Sequence, residues 1–282
     1  MAGYQPSKSS SCPCWADAIQ ELVAFSKSGN KSGSFAAKDK AGRPVVLDWQ
    51  CTSMRAPGFR ACMESIVDTA SQGFTSVEVE FLKAHPEAVH KESNLEQFKP
   101  FFVNGPAVVG WDLVTEKMRD TIKHCFLMDI SEMSPEWAAR VEVMLHVVVT
   151  VNDQQTDAQL GSVVFIVDPA DAAGDIKVMS IALVPEAQHR GLGKVLTSSI
   201  FKILPGTKRL FLNPRVTNVQ AQRAYLAWGA TRVAHPVLDQ WALAEHWVGI
   251  EYRADQTSVL QDFAAQNLVV LETKTQENKR TT

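Results

Sequence analysis

The sequence predicts a mixed α/β domain: one sheet with helices packed against it. Two observations carry this. Between residues 177 and 228, short apolar runs alternate with helix-period segments in the order strand, glycine turn, helix, strand, helix. Upstream, the β-branched runs 143–151 and 161–167 flank a polar loop and read as an antiparallel hairpin.

The elements follow in chain order. Residues 1–14 are polar and Ser-rich, which predicts a disordered tail. Residues 16–28 place Ile19, Leu22, Val23 and Phe25 at helical spacing. Residues 34–49 read as strand, turn, strand, with the turn at Asp39-Lys40-Ala41-Gly42-Arg43-Pro44. Helices are expected over 61–70, 77–83 and 111–126. After the hairpin comes a buried strand at 176–184, then a helix at 191–204, a strand at 209–213 and a helix at 218–228. Asn218 is a good cap for that last helix and Gly229 a good terminator. Strands at 230–235 and 247–253 complete the sheet. The chain thus divides into the tail 1–14, an N-terminal α/β extension 15–125, a core 126–255, and a C-terminal helix and tail 256–282 that ends in a frayed polar stretch. No Gly/Ser/Pro-rich linker separates extension from core, so the two are expected to fold as one unit, with residues 108–126 covering the sheet.

Composition narrows the function classes. The chain has 282 residues, 45% hydrophobic and 21% charged, which suits a globular protein with a sizeable core. Its net charge of −3 leaves no basic footprint for nucleic acid. Five cysteines, an odd number without C-x-x-C pairs, argue for a reducing compartment. Cys12-Pro13-Cys14 is too isolated for a metal site, and no metal is expected. No apolar run reaches membrane-spanning length, and the N-terminus lacks a signal-peptide core. These readings make the protein cytoplasmic, with no membrane or nucleic-acid partner.

The chemistry is concentrated in Val184-Pro185-Glu186-Ala187-Gln188-His189-Arg190-Gly191-Leu192-Gly193-Lys194. It joins a strand to a helix, and its two glycines let a bulky anion approach free backbone N–H groups. The ligand such a turn suits is a phosphate or pyrophosphate. The spacing fits neither G-x-G-x-x-G nor a P-loop. What stands here is Gln188-x-x-Gly191-x-Gly193, with Pro185 three residues before the Gln. It resembles the acetyl-CoA pyrophosphate loop of the GNAT N-acetyltransferase superfamily. A second segment resembles the same family: Asn218, Ala221, Tyr225 and Gly229 stand at the offsets of its N-x-x-A-x-x-L-Y-x-x-x-G-F helix. Ala224 and Ala230 depart from the usual Leu and Phe.

The resemblance implies a GNAT-type fold: a mixed, mainly antiparallel sheet with splayed central strands, pantetheine lying in the gap. It implies acetyl-CoA as co-substrate and transfer of the acetyl group to a primary amine by direct attack in a ternary complex. By the same resemblance the N–H groups of Gln188, Arg190, Gly191, Leu192, Gly193 and Lys194 cradle the pyrophosphate. His189 belongs to the same loop, and the side chains of Gln188, Arg190 and Lys194 add contacts. Leu183 and Val184 pair with pantetheine, and the Leu183 N–H polarises the thioester carbonyl. Asn218 contacts CoA. Tyr225 stands near the sulfur as proton donor to the departing thiolate.

No general base carries over. Where some members have a Glu, this chain has Lys177. Asp175, Glu142 and His146 are the candidates, beside a water chain. The acceptor, a small molecule or a protein amine, is not named by the motifs, because acceptor pockets are built from loops and flanking elements. A homodimer is compatible with this reading. A longer acyl donor, and a non-catalytic CoA-binding sensor or scaffold on the same fold, stay open. The extension 15–125 is read either as the first elements of the fold plus an insertion shaping the acceptor pocket, or as a degenerate GNAT-like half.

Overall fold

The computed structural model describes residues 15–28, 31–102, 110–170, 173–234 and 244–271. The expected tail 1–14, the polar end 272–282 and His235 at the end of an expected strand lie outside them. α1 (Trp15–Ser28) leads into the hairpin of β1 (Lys31–Lys38) and β2 (Pro44–Ser53). Three helices follow: α2 (Phe59–Ala84), α3 (Trp111–Leu127) and α4 (Pro135–Glu142). Then come β3 (Leu145–Asp153), β4 (Gln159–Val167) and β5 (Asp175–Leu183). The rest is α5 (Leu192–Ser198), α6 (Ile200–Ile203), β6 (Arg209–Leu212), α7 (Val219–Ala227), β7 (Thr231–Arg232), β8 (Ile250–Arg253), α8 (Val259–Asn267) and β9 (Val269–Leu271). Among the described residues these strands form one sheet in the order β7-β8-β6-β5-β4-β3-β2-β1-β9. Every neighbouring pair is antiparallel except β5 and β6.

Strand alternation sends side chains to two separate cores. Val147, Val149, Val163 and Phe165 face α1 and α5 on one side, where Leu22, Leu192 and Leu196 are buried with them. Val148, Val164 and Ala182 face the other side, against Met63, Ile66 and Ala70 of α2 and Met118 of α3. α5 and α2 therefore lie on opposite faces of the sheet.

α4 was not anticipated and β7 is shorter than the strand expected at 230–235, and three further elements differ from the sequence-based expectation. α2 is one helix of 26 residues rather than two. Its middle, Ser71–Ser76, has weak helix formers, and isolated propensity would break it there. Burial against the sheet outweighs that, and the Ser71 and Thr75 hydroxyls return to the Asp68 and Ser71 carbonyls at 3.0 and 2.6 Å. The single helix expected at 191–204 is split into α5 and α6. Thr197, Ser198 and Ser199 each donate back to a carbonyl three or four residues earlier, at 2.7–3.0 Å, a pattern that bends helices. Finally, β9 returns to the far edge and pairs Val269–Leu271 with Ser34–Ala36 of β1, within a segment expected to be helix and tail.

The feature that positions the site is a splay. β5 and β6 pair only from Asp175↔Arg209 to Lys177↔Phe211. Beyond that, the β4 ladder skips Met179, because Val164 pairs with Ser180 and Phe165 with Val178. Such a bulge bends and twists its strand. Among the described residues β5 then runs on to Leu183 with no strand paired to it on the β6 side. α2 crosses β5 at Gly73 and reaches the far side of the gap. There Phe81 packs on His246, with ring centroids 5.2 Å apart. Among the described residues no helix is long and apolar enough to cross a membrane.

Candidate active site

A cavity of about 880 Å³ fills this gap. One wall is the 188–194 loop. His189 and Gly191 have φ of +61° and +78°, while Gln188 before them is extended, with φ −63° and ψ 157°. The Gln188 N–H is taken by the Pro185 carbonyl at 3.2 Å and the Lys194 N–H by Gly191 at 3.1 Å. Among the described residues no turn or side-chain hydrogen bond takes the N–H of His189, Arg190, Gly191, Leu192 or Gly193. The result is a nest of backbone donors suited to an anion. A left-handed residue costs a side chain strain, so Gly191 is required by its backbone conformation. A Cβ there would lie 3.4 Å from the Lys40 Cβ. Lys194 lines the same wall, its Nζ 4.7 Å from the Phe263 ring centroid.

The second wall is the open edge of β5. Val184 donates to the Leu160 carbonyl at 3.1 Å, and Leu183 stands opposite Gly161. Antiparallel ladders alternate, so the 183/161 pair is a non-hydrogen-bonded one. The N–H and C=O of Leu183 therefore point away from β4 into the gap. Gly73 of α2 sits directly beside them. A Cβ at Gly73 would lie 3.0 Å from the Ala182 Cβ and 3.2 Å from both Leu183 N and O. Only glycine leaves that donor reachable, and sequence reading missed it because the contact spans two unconnected elements.

The third wall is α7. Asn218 caps it, accepting from the Ala221 N–H at 3.1 Å, and also faces the cavity. Tyr225 stands about two turns further along and packs on Trp228, centroids 5.2 Å apart. Burial pushes its phenol pKa well above the ordinary range, so the hydroxyl keeps its proton.

Two ion clusters hold these walls. The Asp39 carboxylate binds the Arg190 and Arg43 guanidiniums at 2.9 and 2.7 Å and the Ala41 and Arg43 N–H groups at 2.9 Å. Burial opposes the ionised form, but these donors outweigh it and hold the pKa at about 2. Across the gap, Arg215 is only 3% exposed and lies between the Phe81 and Trp247 rings at 4.2 and 4.1 Å. It bonds Glu78 of α2 at 2.9 and 3.0 Å and Glu92 at 3.1 and 3.2 Å, and Glu92 also bonds His246.

Most sequence-predicted site residues come together. Leu183, Gln188, His189, Gly191, Gly193, Lys194, Asn218 and Tyr225 all line the cavity. Three are placed otherwise. Val184 and Leu192 are buried in the core. The Arg190 side chain is committed to Asp39, so it is a brace of the loop and not a free anion ligand. The three candidate bases also fall elsewhere. Asp175 is paired with Arg209 and Glu142 with Arg55. His146 is buried against Phe59, centroids 5.2 Å apart, and desolvation lowers its pKa to about 4. Sequence reading did not find Gly73, Ser76 and Glu80 of α2, or Lys38 and Lys40 of the first hairpin. No short-range signal marks them.

No family model matches this chain, and no curated protein matches it. Among solved structures it is similar to PaiA N-acetyltransferase from Thermoplasma acidophilum in complex with coenzyme A. The identity is 12%, over 73% of this chain and 98% of that one, with a TM-score of 0.37. It is also similar to ribosomal-protein-S18-alanine N-acetyltransferase from Escherichia coli, at 17% identity over 38% of this chain and 68% of that one, TM-score 0.31. A third is IAA acetyltransferase from Bacillus cereus, at 13% identity over 43% and 85%, TM-score 0.32. Likenesses at this level add no weight to the geometry above.

Proposed function

We propose that this protein is an acetyl-CoA-dependent N-acetyltransferase that moves an acetyl group to a primary amine. One observation carries the reading. A single cavity joins a nest of free backbone amides, an unpaired strand N–H at Leu183 and a protonated Tyr225. Together with the sequence resemblance, that set suits a phosphorylated thioester. The nest, with Lys194 and the nearby Lys38 and Lys40, holds the phosphates. The open edge of β5 offers the pantetheine amides a partner strand.

Acetyl-CoA supplies an activated acyl carbon and a thiolate leaving group. The Leu183 N–H donates to the carbonyl oxygen as negative charge builds on it. The amine forms a C–N bond as the C–S bond breaks. The amine proton leaves to water, the Tyr225 hydroxyl gives its proton to the sulfur, and water returns a proton to the Tyr225 phenolate. The raised pKa of Tyr225 keeps it in the form that can do so.

The test is calorimetry with acetyl-CoA followed by turnover with an amine. The full chain should bind acetyl-CoA. Tyr225→Phe should keep that affinity while losing about 10- to 1000-fold in turnover, the signature of an interaction felt in the transition state. Wild type that binds acetyl-CoA yet turns over no amine would favour a CoA-binding module. Failure to bind at all would overturn the reading.

A further inference from the structure

The cavity is electrostatically two-ended. On the face of α5 it carries the amide nest with Lys38, Lys40 and Lys194. On the opposite face it is closed by α2, where Gly73, Ser76, Val77 and Glu80 line it at i, i+3, i+4 and i+7. That spacing puts all four on one side of the helix. Among the described residues only two carboxylates line the cavity, Asp39 and Glu80. Asp39 is saturated by Arg43, Arg190 and two backbone amides. Glu80 is not. Its side chain is 71% exposed, and the one ion-pair partner among the described residues is Lys83, itself exposed, at 3.4 Å. An exposed pair of this kind is weak and readily exchanged.

The position of Glu80 is fixed. Glu78, two residues earlier, is held by the buried Arg215, and Gly73 rests on the Leu183 backbone. Glu80 therefore stands two helical turns from the donor that faces the reacting carbonyl, about 10 Å along the axis. Helical side chains lean toward the N-terminus, which brings the carboxylate back toward Gly73.

Resting on the acetyltransferase reading above, we infer that the acceptor is an amine carrying a second positive charge, and that Glu80 selects it. One nitrogen attacks beside Leu183 and Gly73. The other, an ammonium on the order of 6–10 Å away, replaces Lys83 on the Glu80 carboxylate. Glu80 is a specificity determinant and transfers no proton. The basic end and the acidic end of the cavity then match the two substrates, an anionic thioester from one sheet face and a dication from the other.

The experiment compares 1,4-diaminobutane and 1,5-diaminopentane with butylamine by CoA release, in wild type, Glu80→Gln and Glu80→Lys. Acetyl-CoA affinity is measured by calorimetry for all three proteins. Wild type should prefer the diamines in kcat/KM. Glu80→Gln should raise the diamine KM about fivefold to tenfold and narrow its advantage over butylamine, and Glu80→Lys should reverse the preference. Acetyl-CoA affinity should not move in either variant. If butylamine is turned over but no diamine outperforms it, or the preference survives in Glu80→Gln and Glu80→Lys, the inference about Glu80 is wrong and the acetyltransferase reading stands. If wild type does not bind acetyl-CoA, both fall together.

Discussion

Arg190 and Arg215 each join a carboxylate from the first 92 residues to an element that lines the cavity, but they do it in different surroundings. Asp39 is buried, yet one of its partners, Arg43, is 54% exposed, and the cluster sits at a turn. Glu92 and Arg215 are 0% and 3% exposed, with Phe81 and Trp247 on either side of the guanidinium. The first cluster braces the 188–194 loop against the hairpin turn, where the Lys40 N–H also donates to the Arg190 carbonyl at 2.9 Å. The second bolts α2 to the segment leading into α7, so it sets the width of the gap. A surface-proximal brace can be loosened with local effects. A desolvated one cannot lose a member without stranding a charge.

The largest expected effect is therefore at Arg215. Arg215→Met keeps much of the volume between the two rings but leaves Glu78 and Glu92 without their cation. It should lower the unfolding free energy by about 3–5 kcal/mol, read from the urea midpoint. A loss below about 1 kcal/mol would mean that the cluster is not desolvated as described.

Asp39→Asn should cost less, about 2 kcal/mol at neutral pH. Its folded pKa is depressed from 3.8 to about 2, so the contribution is complete above pH 4 and is lost as pH falls toward 2. Wild type and Asp39→Asn should thus converge in stability across that window, and curves that stay parallel would contradict the assignment. The same variant should weaken acetyl-CoA binding, because the loop loses its brace.

The smallest effect is at Arg43. It shares the Asp39 carboxylate with Arg190 but lies mostly in solvent. Arg43→Ala should shift the thermal midpoint by a degree or two, under about 0.5 kcal/mol. A larger shift would place the energy of the first cluster in the exposed partner, against the comparison drawn above.

Legibility in the sequence followed the same divide. The loop, its strand and the capped α7 were readable because each depends on contacts within a few residues: a glycine where φ is positive, an Asn that caps its own helix, an apolar run that must be buried. The Arg190 side chain was expected beside the anion loop's ligand, whereas the structure pairs it with Asp39, 151 positions away, a contact no local pattern shows. The continuity of α2 was missed because Ser71–Ser76 has poor local propensity and is held by the sheet beneath it.

By itself, then, the sequence determined one side of the cavity: the order β5, loop, α5, the two glycines of the loop, and the helix that presents Asn218 and Tyr225. Only the tertiary structure decided the other side. Gly73 beside Leu183, Glu80 facing the cavity and Arg215 between Glu78 and Glu92 pair residues more than a hundred positions apart. Local backbone chemistry is written in spacing. Contacts across a gap arise only when a bulge at Met179 opens β5 from β6 and a long helix crosses the opening.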